Sequence, residues 1–88
     1  MIFISLNKLK KMPTKGMLAE VSKITEEMAK DGVKVLANYW TLGRYDTVWL
    51  YEAPDEKTYM KALMRQGDMV ATETLVAVPR AEAVKMVE

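Results

Sequence analysis

The 88-residue sequence contains no cysteine and no histidine. Without cysteine, the chain has no disulfide, no thiolate nucleophile and no thiolate metal ligand. Without histidine, it lacks the commonest general base and the usual side-chain ligand for zinc and haem. Because the carboxylates are scattered along the chain, we expect neither a metal site nor a cofactor.

The sequence also lacks an excess of charge of one sign. Thirteen basic and twelve acidic residues give a net charge of +1, which provides no field strong enough to gather nucleic acid or anionic lipid. The lysines at 8, 10, 11 and 15 carry no interleaved arginine or aromatic residue, so a solvated loop explains them best. No run approaches the roughly 20 apolar residues of a membrane span, and the N-terminal apolar run is too short for a signal peptide. We therefore expect a cytoplasmic protein with no nucleic-acid or membrane partner.

Asparagine and glutamine are scarce, at three residues together, and lysine greatly outnumbers arginine. This composition favours a heat-adapted source, although eight methionines argue the other way.

What the sequence does have is a large share of apolar residues for its size. Half of the residues are hydrophobic, yet a chain this short buries only about 60–65% of the surface that its unfolded form exposes. We expect one domain over residues 1–88 and a second subunit that covers part of the apolar surface.

Two segments have the apolar periodicity of amphipathic helices. The first follows Pro13, carries apolar residues at Leu18, Val21, Ile24 and Met28, and ends at Asp31-Gly32. The second begins at Asp55, which suits an N-cap, and ends at Gly67. Strands are predicted over 1–8, 33–42, 45–53 and 69–78, and a short tail helix runs from Pro79 through Glu88.

The predicted order is strand, helix, strand, strand, helix, strand and tail. Right-handed crossovers then give an α+β fold of the ferredoxin-like βαββαβ type, a four-stranded antiparallel sheet with both helices on one face. The opposite face of the sheet is left uncovered.

Gly43 and Arg44 predict a two-residue type II′ turn between the middle strands, because glycine tolerates the positive φ at the first turn position. Counting back from this turn sorts the hairpin into two sets. The aliphatic set comprises Val33, Val35, Ala37, Tyr39, Thr41, Asp46, Val48, Leu50 and Glu52. The aromatic set comprises Leu36, Asn38, Trp40, Leu42, Tyr45, Thr47, Trp49 and Tyr51.

We expect the aliphatic set to face the helices and the aromatic set to lie on the uncovered face. Each exposed ring offers about 150–250 Å² for burial, and so large a patch is uncommon on soluble monomers. The sequence therefore predicts a sheet-to-sheet homodimer or higher homo-oligomer. Its predicted interface residues are Leu36, Trp40, Leu42, Tyr45, Trp49 and Tyr51.

The stretch from Tyr39 to Asp46 resembles the GYD-domain family, which is named for a Gly-x-Tyr-Asp core, here Gly43, Tyr45 and Asp46. The segments 52–55 and 71–75 fit the same family. The resemblance spans nearly the whole chain and implies similarity to dimeric α+β barrels, whose members associate through their sheets. The family has no settled activity, so the resemblance supports the architecture alone.

Related barrels include monooxygenases, isomerases, haem-degrading enzymes and ligand-sensing domains, and their pockets usually lie between sheet and helices. The predicted pairing turns Tyr39, Asp46 and Glu52 towards that side. Candidate ligand-binding residues are Tyr39, Thr41, Arg44, Asp46 and Glu73, with Asp46 and Tyr39 as candidate catalytic groups. Asp46 and Glu52 cannot act as an acid–base pair, since six residues of strand place them ~20 Å apart.

Each candidate also has a plain structural interpretation. Asp46 would accept hydrogen bonds at the end of the hairpin, and Arg44 would be a solvated turn residue. Glu73 would form an ion pair, and the sequence does not fix the face of the sheet on which Glu73 lies.

Three functions remain open at this point. The first is a homo-oligomeric small-ligand-binding or accessory protein, and the second a small cofactor-independent enzyme of the isomerase or monooxygenase type. The third is a purely structural assembly module. A helix-side cavity would favour the first two, whereas a cavity filled by Met60, Met64 and Tyr39 would favour the third.

Overall fold

The computed structural model describes residues 1–67 and 69–87, which form strands and helices in the predicted order. The strands are β1 (Ile2–Leu9), β2 (Lys34–Trp40), β3 (Thr47–Glu52) and β4 (Val70–Ala77). The helices are α1 (Lys15–Lys30), α2 (Glu56–Leu63) and α3 (Arg80–Ala83), and 3-10 turns follow at Met64–Gln66 and Val84–Val87. Within the described residues, no helix is long and apolar enough to cross a membrane.

The ends of the two main helices follow local sequence signals. The Thr14 hydroxyl accepts a hydrogen bond from the Met17 amide at 3.1 Å and so caps α1. Gly32, just beyond α1, has φ +95°, as expected where a chain leaves a helix. Asp55 caps α2, as predicted, by accepting from the Thr58 amide at 2.8 Å.

The four strands form one antiparallel sheet in the order β2-β3-β1-β4. The predicted α+β class and the antiparallel sheet are confirmed, and the arrangement is consistent with the ferredoxin-like fold. The tail forms α3 and a 3-10 turn without a buried residue, and Glu88, the predicted end of the tail helix, lies outside the described residues.

The hairpin keeps the predicted register near its turn but not the predicted tight turn. Trp40 pairs with Thr47 and Tyr39 with Val48, as expected. The ladder ends there, however, and residues 41–46 form a loop in which the Thr41 amide donates to the Asp46 carbonyl at 2.8 Å. Gly43 has the positive φ that the sequence indicated, at +112°.

The predicted assignment of faces is wrong for the aromatic residues and for Tyr39, Val48 and Leu50, whereas Val33 and Val35 lie on the helix side as predicted. Phe3 of β1 and Tyr51 of β3 are opposite one another in the register and are 2% and 3% exposed, beneath the helices. Trp49, Thr47, Asn38 and Trp40 share that face by alternation along their strands. The aromatic rings therefore lie on the helix-covered face, and Tyr39, Val48 and Leu50 lie on the opposite one.

Ring packing explains the reversal, and a β-bulge explains why Val33 and Val35 are exempt from it. The space under the helices is filled by ring stacking: Phe3 lies parallel to Tyr59 with centroids 4.2 Å apart, and Tyr51 contacts Tyr59 at 5.5 Å. In addition, the pairing of β2 with β3 shifts by one residue between Val35 and Ala37. This bulge at Leu36 places Val33 and Val35 on the helix side, whereas Ala37 stays on the other.

The other side of the sheet, which we call the open face, is aliphatic. Leu75 and Tyr39 are 44% and 59% exposed, and most of the other side chains on this face are partly buried only by one another. Its apolar members, by register, are Ile2, Ile4, Leu6, Ala37, Tyr39, Val48, Leu50, Ala71, Leu75 and Ala77.

Candidate functional site: a cavity beneath the first helix

A cavity of about 100 Å³ lies between α1 and the helix-covered face of the sheet. α1 forms its roof, β1 and β3 form its floor, and the segment after α2 closes one side. The lining residues are Asn7, Leu9, Pro13, Met17, Leu18, Val21, Ile24, Thr25, Met28, Trp40, Thr47, Trp49, Tyr51, Gln66, Met69 and Val70.

The cavity exists because an apolar helix stripe lies above a polar part of the sheet. At the C-terminal end of α1, Met28 is 1% exposed and packs into the core around Phe3 and Tyr51. Towards the N-terminal end, Leu18 remains 48% exposed, and the sheet below carries the short side chains of Asn7 and Thr47 beside the larger Trp40 and Trp49. Short polar side chains do not fill the space that rings fill elsewhere, so a gap remains.

The polar floor is a connected hydrogen-bond network centred on Asn7, which is 3% exposed. Its carboxamide oxygen accepts from the Ser5 hydroxyl at 2.9 Å and from the Thr72 hydroxyl at 2.7 Å. Its nitrogen donates to the Thr47 hydroxyl at 3.2 Å and, more weakly, to the Ser5 carbonyl at 3.4 Å. This network satisfies Asn7, so burying it costs little.

One wall of the cavity is aromatic and uncharged. Trp49 stacks on Tyr51 with centroids 5.9 Å apart. Burial raises the pKa of Tyr51 well above its ordinary value, the nearby Tyr59 raises it further, and the Gln66 side chain offsets part of the rise. Tyr51 therefore presents a neutral hydroxyl at physiological pH.

The predicted ligand-binding residues do not line this cavity. Tyr39 is on the open face, and so is Glu73, whose carboxylate accepts a short hydrogen bond from the Tyr45 hydroxyl. The expected position of Tyr39 on the helix side is wrong: Trp40 faces the helices, and its neighbour Tyr39 therefore points to the other face by alternation along the strand. Glu52 pairs with Ile2 and Lys34 in the register and likewise faces away from the helices.

The remaining three candidates lie in the loop between β2 and β3. The Asp46 carboxylate accepts from the Leu9 amide at 2.8 Å, and the Thr41 hydroxyl donates to the Tyr45 carbonyl at 2.8 Å. The Arg44 guanidinium lies 5.7 Å from the centroid of the Tyr45 ring. Asp46 and Thr41 thus hold the loop in place, the structural role considered above, and a role for the loop residues in ligand binding stays a prediction.

The residues predicted to form the interface do not lie together on one surface: some are in the core beneath the helices, and others are exposed at the outer strand or in the loop. Tyr51 belongs to the core, and Trp49 packs against it on the helix-covered face. Trp40 lies on the same face at the outer strand, 63% exposed, and Leu42 is fully exposed in the loop. Leu36 occupies the bulge. Neither Trp49 nor Tyr51 lies on the open face.

The cavity residues that sequence reasoning missed are Asn7, Thr47 and Gln66. The signal for the first was present in β1, where Phe3, Ser5 and Asn7 alternate with Ile2, Ile4 and Leu6. A large ring followed by two polar residues on one face of a strand is compatible with a core that opens into a polar pocket. Gln66 lies in a 3-10 turn and had no such signal.

A family model identifies the chain. The family model of the GYD domain matches residues 5–87. The chain therefore belongs to the GYD-domain family, as the sequence indicated.

A curated relative has a name that describes binding to enzymes. The chain is 36% identical over 67 residues to the "Glutamine synthetase and cystathionine beta-lyase binding protein" of Thermus thermophilus. The aligned region covers 73% of this chain and 70% of the relative.

Proposed function

We propose that this protein is a homo-oligomeric accessory protein that binds partner enzymes, with its own subunits joined through the open face. The exposed aliphatic surface of the sheet carries the proposal. Four strands of six to eight residues span roughly 19 Å by 26 Å. That area, about 500 Å² per partner, is below the ~800 Å² of a standard interface but reaches the total of about 1,000 Å² that a specific interface needs.

A second copy is the occupant that this surface fits best. The open face also carries Lys8, Lys34, Glu52 and Glu73 by register. Lys34 is opposite Glu52, and the Glu73 carboxylate accepts the Tyr45 hydroxyl, so partners of these charges are available within the chain. Two such sheets pack about 10 Å apart with interdigitated aliphatic side chains, as in a sandwich. The resemblance to proteins that associate through their sheets favours the same arrangement.

A partner enzyme is proposed because of the relative's name. Sheet-to-sheet association covers the open face and leaves the helix layer free, and the tail carries further exposed apolar residues. Val84, Met86 and Val87 of the tail are 41%, 74% and 86% exposed. We propose that glutamine synthetase or cystathionine β-lyase of the same organism binds the assembled protein there.

Light scattering over a range of protein concentrations tests the assembly. We expect at least a dimer for the natural sequence and a monomer for Leu50→Lys, which places a charge at the centre of the open face. Met60→Lys is the control, because Met60 is 56% exposed on α2, on the other side of the sheet. A monomer at every concentration, or a dimer that tolerates Leu50→Lys, contradicts the proposal.

Calorimetric titration with the two purified enzymes tests partner binding separately. We expect saturable binding of at least one enzyme to the natural protein. Its absence for both enzymes contradicts the accessory role, whatever the assembly state.

A second candidate function, binding of a small ligand, is favoured by the cavity beneath α1. The cavity is not filled by Met60 or Met64, which are 56% and 73% exposed. The alternative of an enzyme that uses Asp46 and Tyr39 in this cavity has no such support, since neither residue lines it.

A further inference from the structure

The lining of the cavity beneath α1 contains no charged side chain from the part of the chain that the structure describes. This is notable because about 28% of the sequence is Asp, Glu, Lys or Arg. A charged ligand group inside the cavity would lose its hydration without gaining a counter-ion, which is among the costliest changes in a protein interior. The lining thus selects against carboxylates, phosphates and ammonium groups.

The floor of the cavity nevertheless offers hydrogen bonds. Asn7 has used both donors and both acceptor sites within the network. The Thr47 hydroxyl accepts from Asn7, and within residues 1–67 and 69–87 its own proton has no acceptor. The Gln66 amide has two N–H groups, of which the Tyr51 hydroxyl engages at most one, and the Gln66 oxygen has only a long contact of 3.5 Å with the Thr72 hydroxyl. Donors for a carbonyl or hydroxyl group therefore lie at the floor.

We propose that this cavity binds a small uncharged ligand with an apolar body and one hydrogen-bonding head group, such as a primary amide or an alcohol. The head group meets Thr47 and Gln66 at the floor, and the apolar body lies beneath Val21 and between the methionines. The proposal rests on the ligand-binding function proposed above and specifies the class of ligand.

The size of the cavity limits the ligand to a few heavy atoms. Its volume is about 100 Å³, whereas a dry cavity of roughly 150 Å³ holds benzene. Three lining residues, Met17, Met28 and Met69, have flexible side chains that adapt to the shape of a ligand. A branched body of three or four carbons with one head group fits these dimensions.

Matched probes and methyl NMR test the proposal. Isobutyramide and isobutyrate have the same shape and the same number of heavy atoms but differ in charge, and isobutylammonium supplies the opposite charge. The protein is labelled at its methionine methyl groups. Met17, Met28 and Met69 report on the cavity, while Met60 and Met86, exposed on α2 and on the tail, report on non-specific effects.

We expect isobutyramide to shift the three cavity methyl signals saturably, with millimolar affinity, and to leave Met60 and Met86 unchanged. Isobutyrate and isobutylammonium should bind at least about tenfold more weakly. Val21→Phe, which fills the cavity from its roof, should abolish the shifts, whereas Val84→Phe, the same change on the tail, should not. The comparison of probes on the natural protein stands even if Val21→Phe does not fold.

Each contrary result has a distinct meaning. Equal or tighter binding of a charged probe in the cavity overturns the ligand class and leaves ligand binding intact. Failure of all three probes to shift the cavity methyl signals overturns both the class and the ligand-binding function. Equal shifts at Met60 and Met86 show non-specific binding and overturn the site.

Discussion

The two faces of the sheet use apolar residues for different purposes. On the helix-covered face, Phe3, Tyr51 and Tyr59 stack within 4.2–5.5 Å, and Asn7 satisfies its polar neighbours. The centre of that face is packed within one chain, whereas Trp40 and Val76 towards its edges stay 63% and 59% exposed. On the open face, aliphatic side chains lie beside one another, and no helix of the described residues 1–67 and 69–87 covers them.

The difference shows that a strand's most hydrophobic residues do not by themselves mark the face that a partner covers. The rings of Phe3, Tyr51 and Tyr59 lie where the layer of helices leaves the deepest space to fill, because each ring fills a large volume, whereas Tyr39 and Trp40 remain exposed. Isoleucine, leucine and valine make a flatter surface that suits the packing of one sheet on another. The rings therefore stabilise the subunit, and we propose that the aliphatic side chains stabilise the assembly.

The largest expected effect is the loss of folding stability when a side chain is truncated on the helix-covered face, compared with a truncation on the open face. Phe3→Ala removes the ring stacked on Tyr59, and we expect the free energy of unfolding to fall by about 3–5 kcal/mol. Leu75→Ala, at a side chain that is 44% exposed on the open face, should cost under about 1.5 kcal/mol in the monomer. Urea unfolding at low protein concentration measures both.

Repeating that measurement at high protein concentration sharpens the comparison. The cost of Phe3→Ala should not depend on concentration, whereas the cost of Leu75→Ala should rise as the subunits associate. Equal costs for the two substitutions in the monomer would contradict the division between the faces.

Much of the fold followed from the sequence because its signals are local. Asp55 and Gly32 mark helix ends, and the spacing of Val21, Ile24 and Met28 marks a helix face. Gly43 located the hairpin and its register near the turn. Such signals depend on residues close in the chain, so they survive without knowledge of the tertiary structure.

The candidate site did not follow because it depends on which face the helices cover. Alternation divides a strand into two sets but does not say which set is inside when both are apolar. The bulge at Leu36 then keeps Val33 and Val35 on the helix side although the rest of their set lies on the open face, and nothing in the local sequence indicated an extra residue there. The floor of the cavity combines Asn7, Thr47 and Gln66, which are far apart in the chain.

An intermediate effect concerns alkaline pH and the covered face. Burial holds the pKa of Tyr51 above the ordinary value of about 10. The unfolded chain therefore releases this proton first, and the contribution to stability is present below about pH 10 and lost as the pH rises above it. We expect Tyr51→Phe to reduce the decline of stability above pH 10, relative to the natural protein, in urea unfolding at a series of pH values. A decline as steep in the variant would show that other groups cause it.

The smallest expected effect is a titration shift on the open face. The hydrogen bond to Glu73 raises the pKa of Tyr45, and some burial adds to the rise, while Arg44 opposes it. Followed by the near-ultraviolet absorbance of the phenolate, Tyr45 should titrate above the ordinary tyrosine value in the natural protein. Glu73→Gln should bring the pKa back towards that value, and Arg44→Ala should raise it further.

Because association would remove this pair from water, the shift should also grow with protein concentration if the open face is the interface. If neither Glu73→Gln nor the protein concentration changes the pKa of Tyr45, the pair stays solvated. In that case this edge of the sheet does not belong to the surface that the subunits share.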